Sequence, residues 1–200
     1  SERCPRLSAN CISPNTVSGE PRTSFAIVRT GGYRDYGFGG FVYERQGGVV
    51  MPNVGQATFD GDYGGVRIFN GPDGTLGGLE FTEGDITIDI DFDDPTDGQG
   101  GVQGLVYNRV AYDIDGNPVL LGNDGEAGEL PLPNISFVLN GDIGNINEAG
   151  ELNGDVISSY TDPDGVTEVY ETGTYYGILA GDTTDAADGG ELVGIIVVES

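Results

Sequence analysis

The chain is predicted to be all-β: a small eight-stranded antiparallel up-and-down β-barrel with an N-terminal extension or small β sub-lobe. Three observations predict it. First, no apolar pattern at i, i+3, i+4 and i+7 runs longer than two turns, so nothing supports a helix. Second, short β-branched and aromatic runs recur along the chain. Third, those runs are separated by glycines, 36 of 200 residues, against a usual share of ~7%. The glycines have no collagen-like period, so they read as turns and bulges.

In chain order, residues 1–23 read as an irregular arm and residues 24–56 as a small β extension. Within that extension, 24–30 is a β-branched run, and 36–51 carries aromatics and valines broken by glycines, as in a loose hairpin. Residues 57–200 read as the barrel. Its first strand, 57–69, ends at the turn Gly71-Pro72-Asp73-Gly74. The clearest strand is 84–92, where Ile86, Ile88, Ile90 and Phe92 alternate with Thr87, Asp89 and Asp91. One apolar face and one polar face mean one side buried and one wet, which is the signature of an antiparallel sheet. Further strands are expected at 101–113, 134–140, 151–161, 166–171, 173–180 and 191–198. Asp115-Gly116, Asn140-Gly141 and Asp164-Gly165 mark turns between them, the last being the best hairpin signal. The run Glu191–Val198 is mostly apolar and needs neighbours on both sides, which favours a closed barrel over an open sheet.

Composition narrows function by exclusion. All eight basic residues are Arg, and Lys, His and Trp are absent. Nucleophile systems that rely on His, Schiff-base lysines and imidazole metal ligands are therefore ruled out. The net charge of −25 opposes nucleic acid and anionic lipid. Residues 1–109 hold 15 acids and 8 arginines, a net of −7; residues 110–200 hold 18 acids and no base, a net of −18. A protein partner, or another copy of this chain, is thus expected to engage the N-terminal half. A general solubility or salt-tolerance role for the charge stands beside that reading. No apolar run is long enough for a membrane helix.

The stretch Glu171-Thr-Gly-Thr-Tyr-Tyr-Gly-Ile-Leu-Ala-Gly-Asp182, followed by Gly190-Glu-Leu-Val-Gly-Ile-Ile-Val-Val198, resembles the closing hairpin of transferrin-binding protein B-like β-barrel surface proteins. Gly61-Asp-Tyr-Gly-Gly-Val-Arg67 resembles their opening strand, and Gly104–Asn108 a middle one. The resemblance implies an eight-stranded barrel on an exported, often lipid-anchored protein of Gram-negative bacteria. Relatives bind host iron proteins, haem or complement regulators. This chain departs from the pattern in having one barrel unit and no His, so haem ligation would fall to a Tyr or to Met51. A signal segment is expected to have been removed, and any lipidated cysteine to lie upstream.

Four groups of residues are candidates for chemistry or binding. Cys4 and Cys11 are expected to form a disulfide closing a short loop, with two free thiols as the alternative. Asp93, Asp94 and Asp97 supply hard oxygen ligands for calcium, the one cofactor the chain suggests. The same residues serve as a wet strand face entering an Asp-Pro turn, and that reading is preferred. Asp113-Ile-Asp115-Gly116-Asn117 divides the same way between a calcium loop and a turn. Tyr33, Arg34, Tyr36, Phe38, Phe41, Tyr43 and Arg45 form an aromatic and arginine patch of the kind enriched at protein interfaces. The expected function is a non-enzymatic exported β-barrel binding module that presents its loops and this patch to a protein or small ligand. The alternative is a structural subunit of an extracellular coat, fibre or envelope complex, assembled through its N-terminal arm.

Overall fold

The structure is a computed structural model that describes residues 10–33, 36–70, 76–92, 101–119, 131–138, 146–162 and 164–200. The all-β expectation holds: among the described residues there is no helix, and so none that could cross a membrane.

Among the described residues the strands form three units of sheet. The first joins β1 (Asn10–Ile12), β4 (Thr23–Tyr33) and β5 (Tyr36–Arg45). A short ribbon pairs β2 (Thr16–Val17) with β3 (Glu20–Pro21). The main sheet runs through β7 (Gln56–Asn70), β8 (Leu76–Asp91), β9 (Val102–Tyr112), β11 (Ile135–Phe137), β12 (Glu151–Thr161), β13 (Thr167–Asp182) and β14 (Glu191–Glu199). Every pairing along that path is antiparallel. Two short strands flank it: β6 (Val49–Val50) pairs parallel with β13, and β10 (Pro118–Val119) pairs with β9.

The path has seven strands where the sequence reading counted eight. The runs at 166–171 and 173–180 are one strand, β13, bent by a register shift opposite Ser158 and Ser159. Glu171 pairs with Ser158 and Val169 with Ser159, so Tyr170 is the extra residue of a bulge. The strand read at 84–92 also starts earlier, at Leu76. Its first half hides from a hydrophobic-alternation test because the pattern inverts there: Glu80 and Thr82 are the buried residues.

The seven strands curl into a half-barrel whose concave face holds the core: Ile88, Ile90, Val102, Val106, Ile135, Phe137, Leu152, Val156, Tyr175 and Leu179, closed at one end by Phe92 and Ile146. Glycines make this curl possible by giving space to aromatic rings. Phe137 lies across Gly104, where a Cβ would come within 2.7 Å of the ring. Tyr175 lies across Gly154, where a Cβ would come within 2.6 Å. The two rings stack with centroids 4.1 Å apart. Rings covering strand glycines restore the packing that those glycines lack.

β14 explains its own apolar run. Leu192, Ile196 and Val198 pack on the core. Alternation turns Val193, Ile195 and Val197 to the opposite face, where they border one cleft with Phe25, Ile27 and Phe41 of the β4–β5 hairpin. The run is apolar because one face packs on the core and the other lines this cleft, where Val193 is buried and Val197 is left exposed. No pairing joins β14 to β7 among the described residues, so one edge of each strand is free.

The hairpin is tied to this strand at its base. Glu191 accepts hydrogen bonds from the hydroxyls of Ser13 and Thr23, each 2.9 Å, and from the Asn15 amide. Arg22 pairs with Asp188, and Arg45 donates to the Leu179 carbonyl. Arginines of the N-terminal half therefore meet acids and carbonyls of the acidic half within a single chain.

Candidate functional site

A cleft of about 1170 Å³ opens between the free edges of β7 and β14. Its lining takes in both faces of β14, which by alternation gives it an outer and an inner compartment. The outer one lies under the β4–β5 hairpin. The inner one is the hollow of the half-barrel, walled by Phe59, Tyr63, Ile86, Ile88, Phe137 and Ile196.

The inner compartment ends in a buried polar layer that sequence reasoning did not single out. Arg109, on β9, is 1% exposed and forks onto Glu171 of β13, 5% exposed, with N···O distances of 2.8 and 3.3 Å. Its Nη1 also donates to the Pro133 carbonyl at 2.5 Å, and the guanidinium lies 5.7 Å from the Tyr63 ring centroid. Burial alone would lower the Arg109 pKa, but the hydrogen bond to Glu171 and the charge of that carboxylate outweigh it and hold it above its ordinary value. Arg67 of β7 pairs with Glu80 of β8 at 2.6 Å and donates to the Tyr170 hydroxyl of β13 at 2.7 Å. Arg67 to Tyr170 joins the first strand of the path to the sixth, and Arg109 to Glu171 joins the third to the sixth. These bonds span the hollow and hold its curl.

Arg109 reaches the interior because of a bulge. The β8–β9 register shifts between Glu83 and Asp85, and Asn108 takes a positive φ of 53°, a conformation its short polar side chain tolerates. Val102 and Val106 face inward before the shift, Arg109 and Ala111 after it. A lone arginine out of phase with the valines of its strand was the available signal.

Two buried polar atoms of the cleft lining, the Tyr175 hydroxyl and the Arg109 Nε, have no hydrogen-bond partner among the described residues. Tyr175 is 3% exposed, and burial, helped by the Asp155 charge, pushes its pKa up to about 12. The hydroxyl therefore keeps its proton and remains a donor.

The aromatic and arginine patch divides. Arg34 lies outside the described residues, and Tyr33, Tyr36 and Phe38 belong to the hairpin strands with side chains outside them. Phe41 and Tyr43 share one face of β5, their rings stacked with centroids 6.3 Å apart, and Phe41 is 45% exposed at the mouth of the cleft. Tyr43 has its pKa raised by burial and by the nearby Glu151 and Tyr176. Arg45 anchors the hairpin on β13.

The calcium candidates Asp93, Asp94 and Asp97 lie outside the described residues, as does Cys4, so the disulfide and this metal site fall outside the structure described here. Among the described residues no three acids or cysteines gather as a metal site. Asp113 closes its own turn: its carboxylate accepts from the backbone N–H groups of Asp115 and Asn117, at 2.9 and 2.8 Å, and from the Asn117 amide at 2.9 Å. Those bonds pull its pKa below the usual value.

No protein-family model matches the chain, and neither a curated protein nor a solved structure matches it.

Proposed function

We propose that the chain is a non-enzymatic binding module of an exported surface protein, holding a protein or small ligand at the cleft between β7 and β14. The observation that carries this reading is the cleft itself. It is large, walled by apolar side chains on both sides of β14, and bordered by the exposed Phe41 of the aromatic patch. Mouths of small barrels are a preferred place for such sites. The resemblance to transferrin-binding protein B-like barrels agrees with a surface role and adds the finer form, an eight-stranded closed barrel.

That finer form has a topological counterpart, which also favours the structural-subunit reading. Six antiparallel steps separate β7 from β14, so the two free edges run in the same direction. Direct pairing between them would be parallel. One added strand, antiparallel to both, would complete an all-antiparallel barrel of eight. A neighbouring copy supplying that strand would build a coat or fibre by strand addition.

Light scattering across a concentration series separates the two. A monomer at all concentrations supports the binding module. Large regular particles would replace it with the structural subunit.

A further inference from the structure

We infer that the inner compartment binds a neutral, mainly apolar molecule carrying a hydrogen-bond acceptor oxygen, such as a long-chain alcohol, ether or ketone. This rests on the reading of the cleft as a binding site and names the ligand class for its inner half.

The walls of the hollow are apolar: Phe59, Ile86, Ile88, Phe137 and Ile196. Its volume, shared with the outer compartment, is about 1170 Å³, ample for a ligand whose sites usually measure ~300–1000 Å³. Both of its unmet polar atoms can donate, and the Arg109 Nε–H can do nothing else. The Tyr175 ring is fixed between Phe137 and Gly154, and its hydroxyl has no partner among the described residues. Arg109 is held by Glu171 and Pro133, and its Nε–H also has none. A buried donor left unpaired is destabilising, so a molecule that brings an acceptor oxygen relieves that penalty as it binds.

Charge settles the class further. Both arginines of the hollow are already neutralised, Arg67 by Glu80 and Arg109 by Glu171. An anionic head would find no uncompensated cation there and would meet a protein of net charge −25. A cationic head would find the same two carboxylates already engaged, and although it could donate to the Tyr175 oxygen it has nothing to accept the Arg109 Nε–H.

The probe is Nile red, a neutral carbonyl-bearing fluorophore, titrated into the full chain at pH 7. Nile red is excited in the visible, where the chain's tyrosines neither absorb nor emit. Saturable, blue-shifted binding is expected. 1-Decanol should displace the probe at least ten-fold more effectively than decanoate, since the two differ mainly in head-group charge (estimate from the electrostatic argument). Tyr175→Phe should weaken binding about five-fold, the worth of one hydrogen bond. Gly61→Trp should abolish binding by filling the hollow, because a Cβ there meets only Ile86, at an ordinary 3.6 Å. Circular dichroism melts establish that each variant is folded; if one is not, the other decides. Absent saturable binding, equal displacement by decanoate, or affinity unchanged in the folded variants would each overturn the inference. Should Phe41→Ser remove binding while the inner variants keep it, the ligand sits in the outer compartment. The inner site would then be wrong, and the cleft would still be a binding site.

Discussion

Arg109 and Glu171 form a pair whose members depend on each other for burial. Removing one leaves the other charged, buried and alone, a loss of ~3–5 kcal/mol. Glu171→Ala and Arg109→Ala are each expected to lose that much in urea unfolding. The double change Arg109→Met with Glu171→Leu should lose clearly less than the sum, and additive losses would show that the pair is not coupled. Tyr175 gives a second test at this scale. Its folded pKa of about 12 lies above the ~10 of an unfolded tyrosine. Its contribution to stability is thus complete below pH 10 and is lost as pH rises toward 12. Tyr175→Phe should flatten the fall in the urea midpoint over that window, and absorbance at 295 nm should show one tyrosine fewer titrating late. These residues were poorly legible in the sequence for a physical reason. The period-2 pattern marks apolar faces, and here the buried face turns polar at Glu80, Thr82, Arg109 and Glu171. Only long-range pairing makes such burial tolerable, and long-range pairing is invisible to local pattern.

At the scale of elements, most strands could be read because alternation and turn chemistry agree. Asp164-Gly165 is the clearest case: Gly165 takes φ 83°, and Asp162 accepts the Val166 N–H at 2.7 Å, closing the turn between β12 and β13. The count failed at Tyr170, since a bulge leaves the same break in alternation as a turn. The apolar run of β14 was visible, but its cause was not, because the residues that share the cleft with its outer face, 25–41, are far off in the chain. The hairpin's docking depends on Glu191, which gathers three donors, and on Arg22 with Asp188. Glu191→Ala should speed amide exchange through β4 and β5 while leaving β8 and β9 unchanged. Equal acceleration in both sheets would mean that the hairpin and main sheet unfold as one unit. Acid should act in the same direction. The Asp182 backbone N–H and the Arg22 guanidinium hold the Asp188 carboxyl below its ordinary pKa. Its contribution is therefore present above the unfolded value of ~3.9 and is lost as pH falls through the lowered one. Exchange in β4 and β5 should rise before that of the core as pH drops through that range.

For the whole molecule, the charge division read from the sequence acquires an intramolecular use. Arg22 and Arg45 of the N-terminal half bind the C-terminal half, and Arg67 and Arg109 are spent inside the hollow. What remains at the cleft is apolar surface between two unpaired strand edges, which is unusual to leave open because free edges recruit strands. The cleft, the ligand site and the strand-addition alternative all depend on that sheet being open. Amide hydrogen exchange along β7 and β14, read residue by residue by NMR, tests it most directly. Along each strand successive N–H groups point alternately toward the paired neighbour and toward the gap. Alternation is expected: slow exchange where N–H groups bond β8 or β13, and fast exchange at the positions between. Uniformly slow exchange along both strands in the monomer would mean that the edges are paired and the barrel closed, and would contradict the open sheet.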